Sequence, residues 1–252
     1  MLRRSILAAV GVICVVALAD SDAKQSTSEV PYAFTSCFVD SDGDRIADCY
    51  ETNTGVFISA TNTGTDPTAP DTDGDGLKDG DEVYGTTAGL NLPSFGVSPV
   101  HKDVLLEYDW MADSTGCSGP HSHRPTPAML SAVANAFANA PIANSDGTTG
   151  IRVYQDLSPS GNPNSESNFV ADADGIIVGE IGDPDYETYM DNNFEPNRKH
   201  YFHWVLFAHS YNGSNSTGQA TLGGDKMLIT MGCSFADVSY VSKTIMHELG
   251  TT

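Results

Sequence analysis

Two short acidic stretches constrain this chain more than any other feature. Asp71-Thr-Asp73-Gly-Asp75-Gly76-Leu77-Lys-Asp79-Gly-Asp81-Glu82 sets carboxylates at alternate positions and again at the ninth and twelfth. Held that close with nothing between them, the charges repel one another. A hard divalent cation removes the repulsion. The spacing is that of a calcium loop, with side-chain oxygens at positions 1, 3, 5, 9 and 12, a backbone carbonyl at 7 and a turn glycine at 6. The expected ligands are Asp71, Asp73, Asp75, the Leu77 carbonyl, Asp79 and Glu82, with Gly76 at the turn. An earlier copy offers Asp40, Asp42, Asp44, the Ile46 carbonyl, Asp48 and Glu51, but Arg45 stands where the glycine is expected. The plain alternative for either loop is a solvated acidic turn. Gly55, Gly64, Pro67 and Pro70 interrupt any helix between the loops, which argues against a helix–loop–helix calcium pair.

The rest of the composition narrows the class. Over 252 residues the formal charge is -21, so no basic stripe exists to meet nucleic-acid phosphates. The hydrophobic share of 40% is enough to build a core. At the N-terminus, Arg3 and Arg4 precede an apolar run from Ile6 to Leu18 and an Ala17-Leu18-Ala19 cleavage pattern. That is a secretory signal over residues 1–19, with cleavage after residue 23 as the alternative. The expected location is extracellular or periplasmic, with no membrane span after the signal is removed. Removal also takes away Cys14 and leaves Cys37, Cys49, Cys117 and Cys233. An exported chain can pair these in three ways. Cys37 with Cys49 and Cys117 with Cys233 is the pairing that crosses no boundary between parts of the chain.

Residues 86–100 read as a linker, and the pattern changes after them. Asp103–Met111 is apolar enough for a buried strand, and Thr126-Pro127 caps a helix that carries apolar residues at helical spacing to Ala138. Gly150–Gln155, His200–His209 and Lys226–Met231 read as further strands. Residues 157–199 are a polar excursion with one helix around Asp185–Asn193, and Ser210–Gly224 is a loop. Phe235–Gly250 closes as a helix. The expected fold is therefore α+β, a mixed sheet with two main helices, preceded by an irregular calcium-stabilised repeat module. His121 and His123 read as loop residues, and His200, His203 and His209 as packing on or beside a strand.

The closing helix ends in Thr244-Ile-Met-His247-Glu248-Leu-Gly250. In the H-E-x-x-H pattern two histidines one helical turn apart share a zinc ion, and the glutamate takes a proton from the metal-bound water. His247 and Glu248 fit the first half. The second histidine would fall at residue 251, which is threonine. A surface His-Glu pair on an amphipathic helix is the plain alternative.

Two family resemblances add to this reading. Thr63-Gly-Thr-Asp66-Pro-Thr-Ala-Pro70 leading into Asp71 resembles bacterial thrombospondin type 3 repeats, over residues 38–85. Lys102–Met111, Ala136–Asn144, Phe207–Ser214 and Thr244–Gly250 resemble exported bacterial zinc metallopeptidases of the metzincin type, over residues 98–252. The first resemblance implies a calcium-stiffened spacer. The second implies a metzincin-like α/β N-terminal subdomain that hydrolyses a peptide or protein substrate with Zn2+, His247 as first ligand and Glu248 as general base. That family's helix continues to two further histidines, a glycine bend and a Met-turn. This sequence is thus expected to be truncated inside the zinc-binding helix, inactive as it stands, and short of cover on the apolar face of that helix. The alternative is a non-catalytic calcium-dependent adhesion or binding module. A dockerin-like module is disfavoured by the missing helices, and a serine hydrolase by the absence of a G-x-S-x-G elbow.

Overall fold

The structure is a computed structural model and describes residues 37–114, 117–157, 168–172, 174–212 and 216–252. The signal reading falls on residues 1–36, outside those described. Residues Ser36–Thr252 form one compact unit.

The secondary structure starts within the acidic region. Helix α1 (Asp79–Tyr84) begins inside the second loop. Strand β1 (Asp103–Trp110) follows, then the short β2 (Ala112–Asp113) and β3 (His121–Ser122), which pair antiparallel. Helix α2 (Pro127–Ala138) starts as expected, with Thr126 Oγ1 accepting from the Met129 N–H at 3.4 Å and proline at the first helical position. Strand β4 (Arg152–Asp156), β5 (Ile176–Ile177) and helix α3 (Pro184–Asn193) come next. Strands β6 (Phe202–Ala208), β7 (Ser210–Tyr211), β8 (Gly218–Ala220) and β9 (Lys226–Thr230) lead into helix α4 (Val238–Leu249), capped by Asp237.

Five strands form a mixed sheet in the order β4-β1-β6-β9-β8, and β5 pairs with β7 apart from it. The first four are mutually parallel and β8 runs antiparallel to β9 at the edge. The α+β class with a mixed sheet is therefore present. Among the described residues there are four α-helices where two main ones were expected. The additional edge strand β8 lies inside the expected loop 210–224, where Gly-Gln-Ala lacks the β-branched and aromatic residues that mark strands.

Both faces of the sheet are covered, as a parallel sheet requires. On one face Tyr108, Val205, Phe207 and Ile229 meet Met129 and Val133 of α2 and Val241, Ile245 and Leu249 of α4. Those α4 side chains are buried, so the expected bare apolar face is absent, because the sheet and α2 cover it. On the other face Leu105, Trp204, Leu206 and Leu228 meet Tyr186 and Met190 of α3. Leu90 and Leu92 join this second cluster, so the expected linker is packed into the core.

That second face also carries a buried ionic knot. Arg198 bridges Glu107 of β1 and Asp156 of β4, each at 2.7 Å, and Trp204 Nε1 donates to Asp109 at 2.8 Å. Buried charges persist when paired and hydrogen-bonded; these are paired, though among the described residues one oxygen of Glu107 is left without a hydrogen-bond partner. The disulfides are Cys37–Cys49 and Cys117–Cys233, with Cα–Cα separations of 5.6 and 5.5 Å. No described helix is long and apolar enough to cross a membrane.

Candidate metal centres

The two acidic loops take the same conformation bond for bond. In each, the position 1 aspartate accepts from the N–H groups of positions 4 and 6: Gly43 and Arg45 onto Asp40 at 2.7 and 3.0 Å, Gly74 and Gly76 onto Asp71 at 2.7 and 2.9 Å. The position 5 aspartate accepts from position 7: Ile46 onto Asp44 at 2.6 Å, Leu77 onto Asp75 at 2.8 Å. Ile46 and Leu77 bury their side chains beneath the loops. Position 6 needs a positive φ in both, 98° at Gly76 and 88° at Arg45. An arginine there is strained. Its guanidinium offsets the strain by donating to Gly80 O, Gly85 O and Asp81 at 2.8, 2.7 and 2.5 Å, which ties the first loop onto α1.

Position 9 behaves differently from the expectation. Asp48 spends both oxygens on Ser41, accepting from its N–H at 2.8 Å and its hydroxyl at 2.7 Å, and among the described residues it joins no metal-competent cluster. Asp79 holds Thr72 in the same way, at 2.9 and 2.6 Å, yet also clusters with Asp44 and Glu51 of the first loop.

Four groups of carboxylates come close enough to share a cation: Asp40-Asp42-Asp44, Asp44-Glu51-Asp79, Asp71-Asp73-Asp75 and Asp75-Glu82-Asp103. In each loop the position 5 aspartate belongs to two groups, and the position 12 glutamate reaches it from the far side. Asp103, the first residue of β1, completes the last group, and the sequence reading missed it. Its only signal is an acidic residue at the head of an apolar strand.

Apart from the exposed Asp40 these carboxylates are half-buried or buried, and several are incompletely satisfied. Among the described residues, one oxygen each of Asp42, Asp44, Glu51 and Asp73 and both oxygens of Glu82 are buried without a hydrogen-bond partner. An orphaned buried carboxylate is costly, and a cation with oxygen preference is what these oxygens fit. Burial, with neighbouring aspartate charges adding to it, pushes Glu82 up to about 11 and Asp73 to about 8. Burial likewise takes Glu51 and Asp79 to about 7 and Asp75 to about 6.

The His247–Glu248 pair sits in the last turn of α4. Glu248 is buried against the edge strand, where a side chain on Gly218 would collide with its carboxyl. Burial raises its pKa, and the charge of His247 opposes the rise. Thr251 closes the helix, its hydroxyl donating to the Glu248 carbonyl at 2.7 Å. His247 belongs to no metal-competent cluster among the described residues. His200, His203 and Asp225 line a 630 Å³ cleft beside the end of α4, but none of them joins His247. One imidazole and one glutamate do not make a three-ligand catalytic zinc site.

Comparison with family models, with curated proteins and with solved structures returns no match.

Proposed function

We propose that this chain is an exported calcium-binding protein whose acidic loops clamp cations against a metallopeptidase-like α+β domain. The observation that carries the reading is the set of partnerless buried oxygens on Asp42, Asp44, Glu51, Asp73 and Glu82. Each belongs to a residue whose place in the loop marks it as a ligand. Divalent calcium, abundant outside the cell, would take up these lone pairs and cancel the mutual repulsion. Asp44, Glu51 and Asp79 would hold one ion, and Asp75, Glu82 and Asp103 another.

The metallopeptidase part of the proposal rests on element order, strand then helix then strands then the helix bearing His247 and Glu248. Zn2+ and the cleavage of a peptide or protein substrate come only with the family resemblance. Because the described residues bring no second imidazole to His247, no hydrolytic step is derived. That same observation favours the second reading, a calcium-dependent adhesion or binding module in which the sheet is scaffold.

The test is thermal melting of the chelator-treated chain with and without calcium. Calcium should raise the melting temperature, and Asp73→Ala with Asp75→Ala should remove the shift. No shift in the unaltered chain sinks the calcium reading.

A further inference from the structure

A cluster of three histidines lies at the opposite end of the sheet from the acidic loops. His209 directly follows β6, at the carboxyl end of the parallel strands, and His121 and His123 lie in and beside β3. The three imidazoles stand mutually edge to face, with ring centres 4.8 Å apart for His121–His123 and 5.4 Å for each of the other two pairs. An imidazole bound at a Zn–N distance of about 2.0–2.1 Å has its ring centre about 3.2 Å from the metal, so tetrahedral ligands set ring centres about 5.2 Å apart. The ring centres have that spacing, but as the ring stands no nitrogen of His123 comes within 4.8 Å of nitrogens of both His121 and His209, so His123 must turn to join them.

The lone pairs are available. His121 Nδ1 lies 3.1 Å from the Gly119 carbonyl, which can only accept, so the proton is on Nδ1 and Nε2 keeps its lone pair. His209 Nδ1 lies 3.2 Å from Asp113 Oδ2, at ion-pair distance but without hydrogen-bond geometry. A small turn of the ring would complete the carboxylate–imidazole pairing that commonly orients metal-binding histidines. His209 Nε2 lies on the side of Gly232. A nitrogen of His121 and one of His209 come within 4.8 Å of each other and of Cys117 Sγ.

His123 is the independent observation. It is fully buried, and neither ring nitrogen has a hydrogen-bond partner. A buried imidazole with two idle nitrogens is a standing cost unless something arrives to use one. Turning the ring about Cβ–Cγ breaks no hydrogen bond.

We propose that His121, His123 and His209 form a site for a divalent transition metal of the zinc class, with Asp113 as the positioning residue on His209. Imidazole donors select such ions over calcium. The disulfide from Cys117 to Cys233 takes no part as a ligand. It fastens the His121 loop beside Gly232, whose N–H donates to the His209 carbonyl at 3.0 Å. The site is separate from the acidic loops and from His247.

The test is titration of the chelator-treated full chain with Co2+ and then Zn2+, in excess calcium so that the acidic loops are saturated. One equivalent of Co2+ should bind with the visible bands of a tetrahedral ion and be displaced by Zn2+. His121→Ala, which alters a half-exposed residue, and His209→Gln should each abolish the bands. Asp113→Asn should weaken binding about 10- to 100-fold, and His247→Ala should leave it unchanged. Absence of stoichiometric binding overturns the proposal. So does binding that survives His121→Ala and His209→Gln, or that is lost with His247→Ala. A near-ultraviolet thiolate-to-cobalt band would place Cys117 in the shell and overturn the three-histidine assignment. None of these results depends on whether the acidic loops bind calcium.

Discussion

The backbone N–H of Asp103 donates to Asp75 Oδ2 at 2.7 Å, and the Asp103 carboxylate completes a cluster with Asp75 and Glu82. The first residue of β1, which has partners on both sides in the sheet, is thus part of an acidic loop. Arg152 of β4 holds the same carboxylate at 2.6 and 3.0 Å. A cation bound there would brace β1 and β4 as well as the loop. Asp103→Asn should weaken calcium binding about tenfold, or about 1.4 kcal/mol. Calorimetric titration checks this against Asp191→Asn, an exposed carboxylate outside the clusters; equal affinities would remove Asp103 from the site.

The raised carboxylates fix the pH response of the metal-free protein. Asp73 near 8 and Glu51 and Asp79 near 7 stand above the ordinary carboxylate values of 3.8 and 4.5. Between those limits the folded chain holds more protons than the unfolded one, so stability falls as pH rises. Calcium bound as proposed would take the deprotonated form and should flatten the dependence. Urea midpoints at about pH 5 and about pH 8, in chelator and in calcium, measure both slopes. A metal-free midpoint that stays level or climbs between the two contradicts the assignment.

Gly80 is where the two loops touch. A Cβ there would overlap the Asp44 carbonyl oxygen, a backbone atom with little freedom to yield. Gly80→Ala should cost about 1–3 kcal/mol, the usual range for overpacking, and should lower calcium affinity by separating Asp44 from Asp79. Gly43→Asn is the contrast, since it meets open space at a φ of 79° that asparagine tolerates. Denaturant melts of the two variants should differ in that order.

Arg198 neutralises Glu107 and Asp156 in the sheet interior. Arg198→Met strands two buried carboxylates and should cost about 3–5 kcal/mol. Adding Glu107→Gln should recover part of that loss. A double variant no more stable than the single one would show that the cost lies in packing of the guanidinium over Phe202, 4.7 Å from the ring centre.

Where residue pattern and local physics coincide, the sequence was legible. The apolar stretches near β1, β6 and β9 and the capped helix α2 lie within a residue or two of where they were read. The alternating aspartates announced the loops because few other arrangements tolerate such charge. What escaped was tertiary. Nothing local says that Asp48 serves Ser41, that Asp79 holds Thr72 and also meets Asp44 and Glu51, or that Asp103 reaches back to Glu82. Arg45 departs from the loop pattern in sequence because its acceptors, on α1 and at the Gly85 cap just after it, are distant in the chain. His121 and His123 carry a weak His-x-His signal, and His209 comes to them only through the sheet.

On the proposed reading, bound calcium supplies part of the folding free energy of the whole unit, because Asp75 and Asp103 join loop to sheet. Thermal unfolding followed by core Trp204 fluorescence, with and without saturating calcium, tests it most directly. Two ions at about 100 times their dissociation constants contribute about 5 kcal/mol, or about 10–20 °C for a unit this size. A single transition displaced upward by that amount is the predicted result. A Trp204 transition that ignores calcium would contradict it, even if the loops themselves bind the ion.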